Sequence, residues 1–175
     1  MKRVIILIIS FFFVFSSWNT LTAQNSGDID LGAGITYGFD LEEIGIQAVG
    51  TYTLNEKIRV GADFIYWLSE NESAFGASFS STLFEINGNV HYLFYNHNEF
   101  IIYALGSLGI HYANVSVDVP GFGSESASDS ELGLGFGAGA EYDLGAVKLY
   151  VEPRFFISGF DQFALSAGFK IPLNR

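Results

Sequence analysis

The chain has 175 residues, 19 of them acidic and 8 basic, for a formal net charge of −11. So acidic a balance argues against nucleic-acid binding, which needs clustered Lys and Arg. The absence of cysteine removes disulfides, thiolate metal sites and thiol catalysis, while a hydrophobic share of 49% with 20 glycines and only three prolines is opposed to the signature of an acidic disordered chain.

The chain opens "MKRVIILIISFFFVFSSWNTLTAQ", with Lys2 and Arg3, an uncharged apolar run from Val4 to Phe15, and a small polar stretch up to Ala23. That order predicts a secretory signal peptide over 1–23, cleaved after Ala23. The apolar run is shorter than the roughly 20 residues a spanning helix requires. Residues 24–175 then suffice for one domain, with six basic residues against nineteen acidic ones.

From there no stretch keeps a 3.6-residue apolar spacing, whereas period-two alternation, the mark of a strand with two unlike faces, recurs in eight segments. Segment 29–39 sets Ile29, Leu31, Ala33, Ile35, Tyr37 and Phe39 against Asp30, Thr36 and glycines, and 43–54 sets Ile44, Ile46, Ala48 and Tyr52 against Gly45, Gln47, Thr51 and Thr53. Segment 57–68 opposes Ile58, Val60, Ala62, Phe64 and Tyr66 to Arg59, Asp63 and Trp67; segment 79–95 opposes Phe84, Ile86, Val90, Tyr92 and Phe94 to Glu85, Asn87, Asn89 and His91. In 100–117 the pattern is least clean, because Leu105 shares a face with Tyr103, Ser107 and His111.

The sixth segment, "ELGLGFGAGAEYD" (131–143), places glycine at alternate positions from Gly133 to Gly139. Gly135, Gly137 and Ala140 satisfy a loose dinucleotide-binding pattern, but that pattern needs a following helix and here the apolar residues keep strand periodicity. Segment 147–158 alternates Val147, Leu149, Val151, Phe155 and Ile157 with Lys148, Tyr150, Glu152 and Arg154; segment 163–173 alternates Phe163, Leu165, Ala167, Phe169, Ile171 and Leu173 with Ser166, Gly168 and Lys170.

Segments of ten or more residues exceed the usual globular strand and match the 9–11 needed to cross a bilayer. The connections are of two kinds. "LNEK" (54–57), "YNHNE" (95–99) and "DLGA" (143–146) read as tight turns, and "SENESAFGAS" (69–78) and "VPGFGSESASDSE" (119–131) as longer loops rich in Ser, Gly and acid. Short turns at one end and long loops at the other are the habit of outer-membrane barrels, although the connections near 40–43 and 159–162 are also short.

Signal peptide, eight amphipathic segments and the closing "SAGFKIPL" resemble the small eight-stranded outer-membrane β-barrels, the class that includes the membrane domain of outer-membrane protein A and OmpX, with a likeness to barrels of the Bacteroidota. The resemblance covers nearly all of 24–175 and implies an all-β, eight-stranded antiparallel up-and-down transmembrane barrel, monomeric, in the outer membrane, with both mature termini periplasmic. It implies contact with outer-membrane lipid and lipopolysaccharide, and insertion by the outer-membrane barrel assembly machinery through a C-terminal signal whose positions fall on Ser166, Gly168, Ile171 and Leu173. Aliphatic residues, Pro172 and a final Arg175 depart from that signal's aromatic preference.

If the apolar face meets lipid, the other face must occupy a lumen that eight strands leave just wide enough for side chains. Arg59, Asp63, Glu85, Lys148, Glu152, Arg154 and Lys170 lie on that face, with Asp143 near its periplasmic end. These are expected to form an ion-pair network, since an unpaired interior charge is costly, with Lys148 on Asp143 and Arg154 on Glu152 as the preferred contacts. A turn that pairs Asp143 with Lys148 sets Glu141 opposite Tyr150, Gly139 opposite Glu152, Gly137 opposite Arg154 and Gly135 opposite Phe156. The glycines then make room for bulky lumen groups and let the wall bend.

Aromatics are expected as interfacial girdles, with Tyr37, Phe39, Tyr66, Phe75, Phe122 and Phe160 at the outer rim and Tyr52, Tyr92, Phe94 and Tyr142 at the inner one. His91, His97 and His111 do not combine with a nucleophile and an orienting group, nor with carboxylates at ligand spacing, so no catalytic, metal or cofactor site is expected. The acids Glu42, Glu43, Glu70, Glu72, Glu125, Asp129, Glu131 and Asp161 would project from the outer end, where they serve solvation, divalent-cation bridging or recognition of an extracellular protein ligand. The function expected is a structural or surface-interaction barrel with a filled lumen; the alternatives are a narrow passive channel for small solutes or ions and, less readily, a lipid-modifying enzyme.

Overall fold

The computed structural model describes residues 26–69, 72–74, 77–119, 123–157 and 161–174. The expected signal peptide and Phe75, Phe122, Phe160 and Glu70 lie outside them. The strands are β1 (Ile29–Gly38), β2 (Glu43–Thr53), β3 (Ile58–Trp67), β4 (Glu72–Ala74), β5 (Ala77–His97), β6 (Phe100–Val119), β7 (Gly123–Asp143), β8 (Lys148–Ile157) and β9 (Gln162–Pro172). Antiparallel pairing runs β3-β2-β1-β9-β8-β7-β6-β5, and β5 pairs back onto β3, closing a ring of eight strands. β4 stands outside the ring and, among the described residues, pairs with Ala77–Phe79 of β5.

Closure follows from the alternation: with both edges paired, every strand in the wall can satisfy its backbone groups on two sides. What the alternation buries is the reverse of a soluble sandwich. Leu31, Ile35, Ile46, Leu108, Leu132, Leu134, Phe136 and Ile157 are half or more exposed on the outer surface, and the buried side chains include Asp30, Arg59, Asp63, Glu85, Glu141, Lys148, Glu152, Arg154 and Lys170. Continuous apolar exposure on this scale marks a lipid-facing surface.

Tight turns stand where expected. At the β7–β8 turn Gly145 has φ +90° and its N–H donates to Asp143 Oδ1 at 2.7 Å, the pattern by which Asp and Gly stabilise a turn. The β7–β8 ladder pairs Asp143 with Lys148, Glu141 with Tyr150, Gly137 with Arg154 and Gly135 with Phe156. It skips Ala138 and Gly139, where Pro153 has no N–H to donate.

The long connections differ from expectation. Residues 119–131 are not a loop for most of their length: the β6–β7 ladder is continuous from Phe100–Tyr142 to Val119–Gly123. Ser124, Ser126 and Ser128 there pair with Asp118, Ser116 and Asn114, and Glu125 and Asp129 with Val117 and Ala113, so the ladder supplies the order that the composition does not suggest. β5, β6 and β7 reach 20 or 21 residues, against 10 or 11 in the other wall strands. With about 3.4 Å rise per residue and a barrel tilt near 40°, ten additional residues carry the sheet roughly 25 Å beyond the ring.

β6 settles on the face that includes Leu105. Ile101, Tyr103, Leu105, Ser107 and His111 all point inward and are buried, while Ala104 and Gly106 face out. Amphipathic contrast is weak along this strand because its inner residues are partly apolar and its outer ones small.

Candidate functional site

The charged interior is the candidate site. At the turn end of the ring, Arg59 on β3 reaches Glu141 on β7 with two parallel hydrogen bonds, Nη1 to Oε2 at 2.9 Å and Nη2 to Oε1 at 2.6 Å. Lys170 on β9 places Nζ 2.6 Å from the same Glu141 Oε1. A fork of this kind has both the geometry and the charge that make Arg–carboxylate bonds strong.

Lys148 belongs to this level, but its partner differs from the expected one. Nζ lies 2.8 and 2.7 Å from the two oxygens of Asp30 on β1, a residue outside the expected network. The reason is geometric: Lys148 and Asp30 both point inward and are buried, whereas Asp143 sits in the turn and binds its own loop through Gly145 N–H.

At mid-height Arg154 donates to Glu152, as expected, and through Nη1 to Asp63 Oδ1 at 2.9 Å. Asn89 and Asn87 donate to Asp63 at 2.5 and 3.1 Å, Ser107 to Asn89 at 2.6 Å, and Tyr103 to Glu152 Oε2 at 2.7 Å. Tyr150 donates to Gln47 at 2.7 Å. Asp63 and Glu152 therefore each meet both an opposite charge and neutral donors, the condition under which buried ions are tolerated.

Apolar and aromatic groups stand among the charges. Leu93, Ile101, Tyr103 and Leu105 form one buried cluster, the Tyr103 ring stacks on His91 at 4.5 Å, and Arg59 lies 4.8 Å over Tyr103. His91 Nδ1 accepts from Arg59 Nε at 3.1 Å. His97 lies at the exposed turn end and His111 inside the opposite end, so the three histidines do not converge. Among the described residues no group of three or more His, Cys, Asp or Glu side chains could hold a metal.

The glycine row has a different neighbour from the expected one at two positions. A side chain at Gly139 would run into the ring of Tyr103, its pairing partner on β6. At Gly137 the nearest obstacles are backbone atoms of Pro153 and Arg154, not the Arg154 guanidinium. Gly135 does face Phe156, whose ring atoms would lie 2.7 and 2.9 Å from a β-carbon there.

Glu85 stands at the long-hairpin end of the interior. Its Oε1 accepts from Trp67 Nε1 and Gln162 Nε2, each at 3.0 Å, and His111 Nε2 lies 3.9 Å from its Oε2. Asp30, Glu141, Trp67 and Gln162 were all legible as inward by parity. What parity could not say is which groups meet across the lumen.

A closed ring with hydrocarbon-like residues outside and paired charges inside defines a transmembrane β-barrel, here of the eight-stranded outer-membrane class. The chain belongs to the outer membrane protein beta-barrel domain family, which it matches over residues 9–174. A search of curated proteins finds no match.

Solved structures share the fold at low identity. Ail, the attachment invasion locus protein of Yersinia pestis, is 16% identical over 85% of this chain and 100% of its own, with a TM-score of 0.56. The N-terminal β-barrel domain of Pseudomonas aeruginosa OprF is 10% identical over 86% and 100%, with a TM-score of 0.62. Neisserial surface protein A is 17% identical over 87% and 99%, with a TM-score of 0.53. A further structure of Ail, 16% identical over 83% and 97% with a TM-score of 0.57, is a complex with the heparin analogue sucrose octasulfate.

Proposed function

We propose that this outer-membrane barrel is a non-enzymatic surface protein whose packed lumen does not conduct. Its long β5–β6–β7 hairpins face outside the cell, and its turns and both mature termini face the periplasm. The mature protein would be residues 24–175, inserted as a monomer by the barrel assembly machinery with Ser166, Gly168, Ile171 and Leu173 as its recognition positions. Surface recognition through the hairpins is favoured by their length, since functional contacts concentrate where a rigid scaffold projects polar segments.

One observation carries the choice of partner: no Lys or Arg occurs between Val60 and Val147, the stretch that contains all three long strands. Their outward face repeats hydroxyl and amide groups, with Ser80, Ser116 and Ser126 in one row and Thr82, Asn114 and Ser128 in the next. Glu125, Asp129 and Glu131 add charge. A sulfated ligand of the kind bound to Ail would meet acid without a base to receive it. The partner class that fits is cationic or uncharged, and contact with lipopolysaccharide phosphates would run through bridging divalent cations.

External labelling tests the orientation. A cysteine placed at Ser124, in the outer part of the β6–β7 ladder, should react in intact cells with a membrane-impermeant maleimide, while one at 145 should react only after the membrane is breached. The reverse pattern would overturn the reading. Planar-bilayer recording tests the lumen: silence is expected, and reproducible conductance would favour the narrow passive channel.

A further inference from the structure

Five carboxylates and four permanent cations are buried inside the ring, and they are shared unevenly. Lys148 serves Asp30, Arg59 and Lys170 serve Glu141, and Arg154 serves both Asp63 and Glu152. Glu85 meets no Lys or Arg at ion-pair distance among the described residues; its close partners are the neutral donors Trp67, Gln162 and, at 3.5 Å, Asn87. A buried carboxylate without a countercharge is costly. Among the described residues the buried carboxylates outnumber the Lys and Arg side chains by one, and at Glu85 the nearest group able to carry positive charge is the His111 imidazole.

The surroundings of Glu85 Oε2 are arranged to receive a further cation. His111 Nε2, buried and without a hydrogen-bond partner, stands 3.9 Å away. That is too long for a direct hydrogen bond and suited to one donor atom bonding both. Both side chains line a pocket of about 40 Å³ at the long-hairpin end, open to solvent on one side and walled also by Leu41, Trp67, Leu83 and Ala113.

The geometry points to a binding site for a primary alkylammonium group, its nitrogen on Glu85 Oε2 and His111 Nε2 and its hydrocarbon stem between Leu41, Leu83 and Ala113. An ammonium carries three donors on a compact tip, and its stem prefers apolar walls. The indole of Trp67 adds an aromatic surface favourable to a cation. A guanidinium would bring five donors to two acceptors. A divalent metal would find, among the described residues, only two protein ligands and apolar walls that cannot hold its remaining waters. The ammonium can arrive on a free alkylamine or on a lysine side chain of a cationic surface partner; the second source rests on the surface reading above, the site itself does not.

Tryptophan fluorescence reads the pocket directly, because the chain's two tryptophans are Trp18 and Trp67 and Trp67 binds Glu85. With Trp18→Phe in the refolded full chain, n-butylammonium and Nα-acetyl-lysine amide are titrated separately, with n-butanol and zinc chloride as controls. Saturable change is expected with the ammonium probes and none with n-butanol. Glu85→Gln, of equal shape, and Ala113→Leu, which fills the pocket and leaves the charge, should each weaken binding about tenfold or more. Two separate variants, each checked for barrel folding by gel mobility, keep the test alive if one fails to fold.

An n-butanol response equal to the amine's, undiminished affinity in both variants, or saturation by zinc alone would overturn the site. Binding of butylammonium without acetyl-lysine amide would support it and assign a free amine as the source; binding of both supports the lysine source as well. Loss of the titration leaves the external-labelling result untouched, and failure of labelling leaves the titration untouched, so the two readings fail separately.

Discussion

The ring of Tyr103 on β6 occupies the space that a side chain at Gly139 on β7 would need, and from that seat its hydroxyl donates to Glu152 on β8 at 2.7 Å. The two residues are directly paired across the ladder. One strand therefore gives up side chains so that its neighbour can send an aromatic group across the lumen.

Gly139→Leu should accordingly destabilise the barrel by roughly 1–3 kcal/mol or more through overpacking. Tyr103→Ala in the same chain should restore part of that loss, and urea unfolding in lipid vesicles measures the coupling. Gly137→Phe should be equally damaging, yet Arg154→Ala should not rescue it, because backbone atoms of Pro153 and Arg154 stand nearest to Gly137. Rescue at 137, or its absence at 139, would contradict this assignment of space.

Lys148 and Asp30 are almost fully buried, their side chains 1% and 0% exposed. Lys148→Ala should cost about 3–5 kcal/mol by removing the ammonium that bonds both Asp30 oxygens. Replacing both, Lys148→Met with Asp30→Leu, should lie much closer to the parent in the same urea assay. A double variant worse than the single one would show that the pair has further partners on which the fold depends.

On the lipid face Leu134 is 61% exposed and lies next to the inward Gly135. Leu134→Arg should cost roughly 2–4 kcal/mol if it falls near the bilayer midplane, and less toward either interface. Insertion yield into vesicles, read by heat-modifiable gel mobility, checks the direction.

Pairing of β7 with β8 begins only at Leu134, so Gly123–Gly133 has no ladder partner on that side among the described residues. Such an edge invites pairing with another chain unless charge opposes it, and Glu125, Asp129 and Glu131 stand along it. Replacing all three by Thr should raise self-association in detergent, visible as a concentration-dependent increase in mass by light scattering. An unchanged mass would mean that these acids do not protect the edge.

Much of the wall is legible in the sequence alone. Period-two alternation in 29–39, 57–68 and 163–173 locates β1, β3 and β9 and says which residues face out, because a strand's side-chain period is set by its own backbone. The same rule fails softly in β6, where Leu105 inside and Gly106 outside blur the contrast. It fails more plainly in 119–131, where serine and acid read as a loop and the β6–β7 ladder makes a strand.

The interior shows the same division. Sequence parity by itself determined that Arg59, Asp63, Glu85, Lys148, Glu152, Arg154 and Lys170 face one way, and the turn at 143–148 determined the β7–β8 register. Only the closed ring decided that Lys148 meets Asp30, that Arg59 meets Glu141, and that Glu85 is left beside His111 at the mouth of a pocket. Parity is a local property of one strand, repeated every two residues. Partnership across a lumen depends on strand order, stagger and curvature, which bring together residues such as Asp30 and Lys148, 118 positions apart in the chain.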